Sequence, residues 1–270
     1  MFDLAPVLDE AKNKIIAVAF SDLESGAEYF LNENYEFHPA STFKVHVMME
    51  VFHQAQQGRL SLEDHLPIIN SFTSIADESP YSLYAKDDAE QSLYPRLGES
   101  ETIAELTRLM IVRSSNLATN ILLEKIGTNH VNDFIHALGI QGVIVRRGVE
   151  DDVAFRLGMN NSATVHGLTQ TMKLIAEKRV RSTQASETII EILLGQEFNE
   201  SIPALLPASV KVAHKTGWTD DVYHDTGIVY PELRQPYVLT IMTKGFTEQQ
   251  EQAAHQCMAT ISKMIYEQLP

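Results

Sequence analysis

Cysteine is nearly absent. Cys257 is the single one in 270 residues, which excludes an intramolecular disulfide and any thiolate metal or redox motif. Cys257 itself reads as a small buried hydrophobe in a C-terminal helix. Long apolar runs are absent too: no segment approaches the ~18 residues needed to cross a bilayer. The opening Met1-Phe2-Asp3-Leu4-Ala5-Pro6 has no basic stretch leading into an apolar one, so it does not read as a secretory signal. The chain as written is expected in the cytoplasm; an export signal removed ahead of Met1 would place it outside. Positive charge is scarce, with 21 Lys and Arg against 36 Asp and Glu and a formal net charge of -15. Such a surface repels phosphate backbones and anionic lipid, so no nucleic acid and no membrane is expected as a partner. There is no repeat, linker or low-complexity tract. What is present is 44% hydrophobic content, enough for a large core in one big domain or two interlocked lobes.

Strand signals lie at the two ends of the chain. Lys14 to Phe20 is an apolar run closed by the turn-prone Ser25-Gly26, with Ala27 to Leu31 as its hairpin partner. Strand character returns at Ser209–Lys215, Thr226–Tyr230 and Tyr237–Met242. Between these ends the pattern is helical. Val47, Met48, Val51, Phe52 and Ala55 recur at helical spacing, which predicts a helix from Pro39 to Gln57 that opens on proline and stops at Gly58. Thr102 to Ile126 is the most regular helical stretch, interrupted by the polar Arg113-Ser114-Ser115-Asn116. Further helices are expected at 2–12, 162–178 and 247–267. This order predicts an α+β fold: one antiparallel sheet flanked by N- and C-terminal helices, with an all-helical lobe inserted. The sheet lobe is expected from residues 1–38 and 200–270 and the helical lobe from 39–199. A cleft shared by the lobes could draw on a helix start, a helical-lobe loop and a strand edge.

Three short motifs carry chemistry at those places. Ser41-Thr42-Phe43-Lys44 puts a hydroxyl and an amine three apart at a helix start. A serine is a poor nucleophile until a base takes its proton, and a lysine with a lowered pKa can be that base. Amides of the first turn would stabilise an oxyanion. Alone, a Ser-x-x-Lys arises by chance roughly once in a chain this long. Ser114-Ser115-Asn116 offers a second hydroxyl to relay a proton and an amide to bind a substrate carbonyl; alone, it reads rather as a polar kink or cap. Lys215-Thr216-Gly217 closes an apolar strand. Its glycine would let substrate backbone approach the strand edge while Lys215 and Thr216 bind a carboxylate, though a hairpin end explains it as well.

Together, in this order, the three motifs resemble the signature of the class A β-lactamases and penicillin-binding proteins. The likeness extends to Pro39–Lys44 and to Met110–Leu123, and so covers nearly the whole chain. The resemblance implies Ser41 as the acylated nucleophile, Lys44 as its proton acceptor and Ser114 as the proton relay. It implies Asn116 as a substrate amide contact and Lys215, Thr216 and Gly217 as the carboxylate subsite. The backbone amides of Ser41 and Trp218 would form the oxyanion hole. No metal or organic cofactor is implied, and the expected partner is a small β-lactam or a related acyl donor.

The pattern departs from that family in three places. Ser115 stands where aspartate is usual, a change expected to touch loop support more than chemistry. The deacylating glutamate lacks its usual Glu-x-x-Leu-Asn setting; in Arg146–Ser162 the candidate is Glu150, which reads equally as part of an acidic turn paired with Arg146 or Arg147. Trp218 follows the third motif where a small residue is common, and His224-Asp225 lies where many class A enzymes carry a carboxylate-binding arginine. A bulky indole and an added carboxylate are expected to alter which donors fit. His224 is read as an ordinary strand-end histidine or a second proton carrier, and His46 as a helix-face residue. Besides β-lactam hydrolysis, the residues allow an esterase, an amidase, a D-Ala-directed peptidase, or a sensor module that stays acylated.

Overall fold

In the computed structural model, which describes residues 2–269, the terminal apolar runs become one sheet. Strands β1 (Ile15–Asp22) and β2 (Glu28–Leu31) form the predicted hairpin, and β3 (Lys211–Trp218), β4 (Val222–Tyr230) and β5 (Tyr237–Lys244) complete the sheet. Their spatial order is β2-β1-β5-β4-β3, antiparallel throughout, so β3, which carries the Lys-Thr-Gly, is an edge strand. The helices are α1 (Ala5–Glu10), α2 (Lys44–Gln56), α3 (Ile103–Val112), α4 (Asn116–Ile126), α5 (Thr128–Ala137), α6 (Asp152–Arg156), α7 (Val165–Ala176), α8 (Thr183–Leu194) and α9 (Glu251–Glu267).

The sheet is covered on both faces. Ile16, Val18 and Phe20 of β1 and Tyr237, Leu239 and Ile241 of β5 join Leu4 and Val7 with Met258, Ile261 and Ile265 of α9 in one core. The alternate residues Ala17, Ala19 and Thr240 are equally buried, here beneath α7, where Thr169 Oγ1 lies 2.8 Å from Thr240 Oγ1. Burial on both faces explains why these strands read as continuous apolar runs instead of alternating ones. Cys257 belongs to the same core, and burial pushes its thiol up to about 11.

The chain divides into two compact units. One takes the chain up to Thr42, residues 140–143 and everything from Ser162 onward; the other takes 43–139 and 144–161. The boundaries therefore differ from those expected. Residues 162–199, assigned by their helical pattern to the inserted lobe, belong with the sheet, because α7 packs on β1, β4 and β5 and α8 packs on β3. Helical periodicity reports an apolar face and not the surface that covers it.

In the helical unit α2 is central, with every residue from Lys44 to Phe52 buried among α3, α4 and α5. The expected start of this helix at Pro39 is corrected in detail: Ala40–Phe43 forms a tighter 3-10 turn that runs directly into α2. Side-chain caps set three of the other helix starts. Thr102, Ser115 and Asp151 accept from the N–H groups of Glu105, Ala118 and Ala154 at 3.0–3.1 Å, each cap stabilising by ~1 kcal/mol.

Candidate active site

In the helical unit, three of the predicted residues converge on one amine. Lys44 is fully buried. Its Nζ donates to Asn116 Oδ1 and to the Ser114 carbonyl, both at 2.8 Å, with Ser114 Oγ and the Ser115 carbonyl each at 3.4 Å. Burial penalises the ammonium and lowers its pKa to about 7, against the opposing pull of Asp88 and Glu150. A lysine so placed is divided between its charged and neutral forms near neutral pH.

The Asn116 amide links this amine to Glu150. While its oxygen accepts from Lys44, its Nδ2 donates to Glu150 Oε1 at 3.0 Å. Glu150 Oε2 accepts from the Tyr84 N–H at 3.4 Å. Burial raises the Glu150 carboxyl above the usual carboxylate range, partly offset by the hydrogen bonds from Asn116 and Tyr84. The alternative role is not what the structure contains: Arg146 and Arg147 bond to Asn160, and Arg147 also to the Gly148 carbonyl. Glu150 adopts φ 60° and Ser114 φ 55°, while Ala40, one residue before Ser41, has φ 46°. Left-handed backbone at non-glycine residues costs ~1–3 kcal/mol each and persists only where surrounding contacts enforce it.

Two enforcing residues have no counterpart in the motifs. Asp88, almost fully buried, accepts at 2.9–3.0 Å from the N–H groups of Asn116 and Leu117 and from the Tyr94 hydroxyl. It thus places a carboxylate on the start of α4, beside Ser115, whose own hydroxyl caps Ala118. The expectation that Ser115 serves loop support fits this geometry. Asn120 holds the segment ahead of Glu150, accepting from Val149 N at 2.8 Å and donating to Val149 O at 3.0 Å. A side chain at Gly148 would collide with that amide. The signal for Asn120 was present, an asparagine four residues after Asn116 on a largely apolar helix. Asp88 gave none, being remote in sequence from everything it holds.

The sheet unit supplies the remaining predicted residues. Ser41 lies in the 3-10 turn, half-buried. A Cβ added at Gly217 would lie 2.6 Å from Ser41 N and 3.0 Å from Thr42 N. Only glycine therefore allows edge strand β3 to approach the backbone of the nucleophile turn this closely. Lys215 shares that face of β3, is fully buried, and donates from Nζ to Thr216 O at 2.8 Å. Thr216 and Trp218 alternate onto the opposite face. Thr216 is 3% exposed and its Oγ1 makes no hydrogen bond, while the Trp218 indole is 37% exposed and meets Phe198 edge-on at 5.1 Å.

The carboxylate expected from Asp225 is not presented. Asp225 is wholly buried, accepting from His214 Nδ1 at 2.9 Å and from Ile202 N at 3.0 Å. His224 is no proton carrier either: its Nε2 meets the His38 carbonyl at 2.9 Å, and burial lowers its pKa to about 4. His46 is likewise held neutral by burial, at about 4. Among the described residues no group of histidine, cysteine and carboxylate side chains is arranged to hold a metal ion.

A nucleophile turn against a glycine-bearing strand edge, and a buried lysine bridged through an amide to a carboxylate, define the class of serine acyl-transfer enzymes. The profile of the β-lactamase enzyme family matches residues 3–269, and the chain belongs to that family. It is 26% identical over 249 residues to a β-lactamase of Bacteroides uniformis, covering 87% of this chain and 80% of that one. To the extended-spectrum β-lactamase PER-1 of Pseudomonas aeruginosa it is 25% identical, covering 88% and 77%. The fold matches a crystal structure of a β-lactamase from Sphaerobacter thermophilus with TM-score 0.81 at 22% identity, over 99% and 97% of the two chains. It matches the structure named PBP-A with TM-score 0.81 at 21% identity, over 99% and 98%.

Proposed function

We propose that this protein hydrolyses the amide bond of β-lactams through an acyl-enzyme on Ser41. The observation that carries the reading is the buried Lys44 amine, brought to about 7 and linked through Asn116 to Glu150. In its neutral form Lys44 takes the proton of the Ser41 hydroxyl as Oγ attacks the lactam carbonyl. The oxyanion that forms is stabilised by the N–H groups of Ser41 and Trp218, the first at the close approach that Gly217 permits. Ser114 passes a proton to the departing lactam nitrogen, and the C–N bond breaks to leave an ester on Ser41. Lys215 and Thr216 bind the substrate carboxylate. Ionised Glu150 then takes a proton from a water that attacks the ester, releasing the acid and restoring Ser41.

The test is incubation with a chromogenic cephalosporin followed by intact-mass measurement. Colour release with a transient adduct at Ser41 is expected, and Ser41→Ala should abolish both. Unchanged hydrolysis and labelling in Ser41→Ala would end the assignment. Glu150→Gln removes the water-activating base while keeping an acceptor for Asn116, so it should acylate normally and accumulate the adduct, with turnover down by about 100-fold or more. Unchanged turnover in that variant would remove Glu150 from the mechanism. A lasting adduct on the wild-type protein would move the reading to a penicillin-binding sensor.

A further inference from the structure

The second motif brings no charge of its own. Its middle residue is Ser115, whose hydroxyl caps Ala118 N at 3.1 Å, and the negative charge at the start of α4 comes from outside the motif, from Asp88. Both oxygens of that carboxylate are taken. Glu90 N and Asn116 N donate to Oδ1 at 3.0 Å, and Asn116 N, Leu117 N and the Tyr94 hydroxyl donate to Oδ2 at 2.9–3.0 Å. Three backbone N–H groups and a phenol satisfy the carboxylate without cancelling its charge. At 2% exposure, its field reaches neighbouring groups with little screening by solvent. The phenol is a permanent donor, its pKa pushed up first by burial and then by Asp88.

The segment that carries Asp88 is fastened on both sides of it. Tyr84 N donates to Glu150 Oε2 at 3.4 Å, Glu90 pairs with Arg113 at 3.0 Å, and Leu93 is fully buried. The carboxylate therefore has a fixed place beside the relay of Lys44, Asn116 and Glu150. It touches that relay through the Asn116 N–H, yet its charge acts on both ends. Burial sets the direction at each end, down for the amine and up for the carboxyl. Asp88 is the largest charge opposing burial at Lys44, ahead of Glu150, and together with Asp87 it adds to the rise at Glu150. Glu90, the remaining carboxylate of the segment, is answered by Arg113. Both effects of Asp88 make the affected group a stronger base, the amine toward a hydroxyl and the carboxylate toward water.

We propose that Asp88 is a positioning residue for both steps at Ser41: it holds the Asn116 amide between Lys44 and Glu150, and its uncancelled charge acts on both. This rests on the acyl-enzyme reading for the reaction that is served, and not for the effect on the two groups.

That effect is read in the free protein, by carbon NMR titration of the Lys44 Cε and Glu150 Cδ signals, identified by their loss in Lys44→Arg and Glu150→Gln. In Asp88→Asn both midpoints should move to lower pH together, each by about one unit. Asp88→Ser, also neutral and smaller, should move them the same way, so either variant carries the test if the other does not fold. Asp88→Glu keeps the charge and should keep both midpoints near their wild-type values. Acylation of Ser41 by a chromogenic cephalosporin, followed by rapid quench and mass measurement, should begin at lower pH in Asp88→Asn. Its plateau should fall by about tenfold or more, since the base is weaker and the Asn116 N–H is no longer held by two carboxylate oxygens. A residue that only supports the loop would lower the plateau and leave the midpoints in place. That result, midpoints moving in opposite directions, or Asp88→Glu moving them as far as Asp88→Asn would overturn the proposal. A wild-type protein that forms no adduct would end the acyl-enzyme reading and leave the titration standing.

Discussion

An ammonium moved out of water loses hydration that a few carbonyls replace only in part, and the loss falls on the charged form alone. Lys44 shows that balance. Four oxygens within 3.4 Å and the field of Asp88 and Glu150 favour the ammonium, yet burial wins and the amine reaches about 7. Acylation that needs the neutral amine must therefore rise with pH, close to tenfold per unit below about 7, and level off above it. A pre-steady-state pH profile of Ser41 acylation checks this; a flat profile between pH 5 and 8 would exclude Lys44 as the base. Lys44→Arg, charged at every accessible pH, should lose the reaction. Glu150 works in the opposite protonation sense. Its carboxyl is raised by burial and must be ionised to take a proton from water, so deacylation should fail on the acid side at a pH above the ordinary carboxylate range.

At the level of elements, edge strand β3 and the turn ahead of α2 meet through backbone alone. The Cβ of an alanine at Gly217 would lie 2.6 Å from Ser41 N and 3.0 Å from Thr42 N, atoms that cannot rotate away as a side chain would. Strand or turn must then shift, and a misplacement approaching about 1 Å at a reacting centre costs about 100-fold. Gly217→Ala is expected to lose acylation on this scale while retaining the fold, seen as normal far-UV circular dichroism beside a lost burst of adduct. The start of α4 is the second such element. Asp88 pins the amides of Asn116 and Leu117, and Ser114 just before them is held in a left-handed conformation. The pieces that position chemistry are therefore strand edges and helix starts, where backbone N–H groups are free to be used.

For the whole molecule, acid stability follows from two histidines buried neutral in different units, His46 on α2 and His224 on β4, both near 4. Their ordinary value is 6.5, so between pH 6.5 and 4 the unfolded chain binds protons that the folded one refuses. Stability then rises with pH across that window and is lost as pH falls through it, by on the order of 3 kcal/mol for each histidine. Thermal midpoints measured from pH 7 down to 4 should fall steeply, and His224→Gln should flatten part of the fall. An unchanged slope in that variant would show that His224 charges freely in the native state.

Much of the sheet was legible because strands buried on both faces leave continuous apolar runs, as Lys14–Phe20 and Tyr237–Met242 do. Ser41, Lys44 and Lys215 were legible because their motifs are local: the turn and the strand end that orient them are written in the same few residues. Glu150 could be singled out in sequence, but its contact with Asn116 could not. The division of 162–199 between units could not be read either, since a helix states that it has an apolar face and not which surface will cover it. By itself the sequence determined the strands of the sheet, most of the helices and the candidate nucleophile and amine. Only the tertiary structure decided that Asp88 and Asn120 hold the site, that Asp225 is consumed by His214, and that Phe198 meets Trp218. Those contacts join residues far apart in the chain, and their energies depend on burial and approach that exist only once the chain is packed.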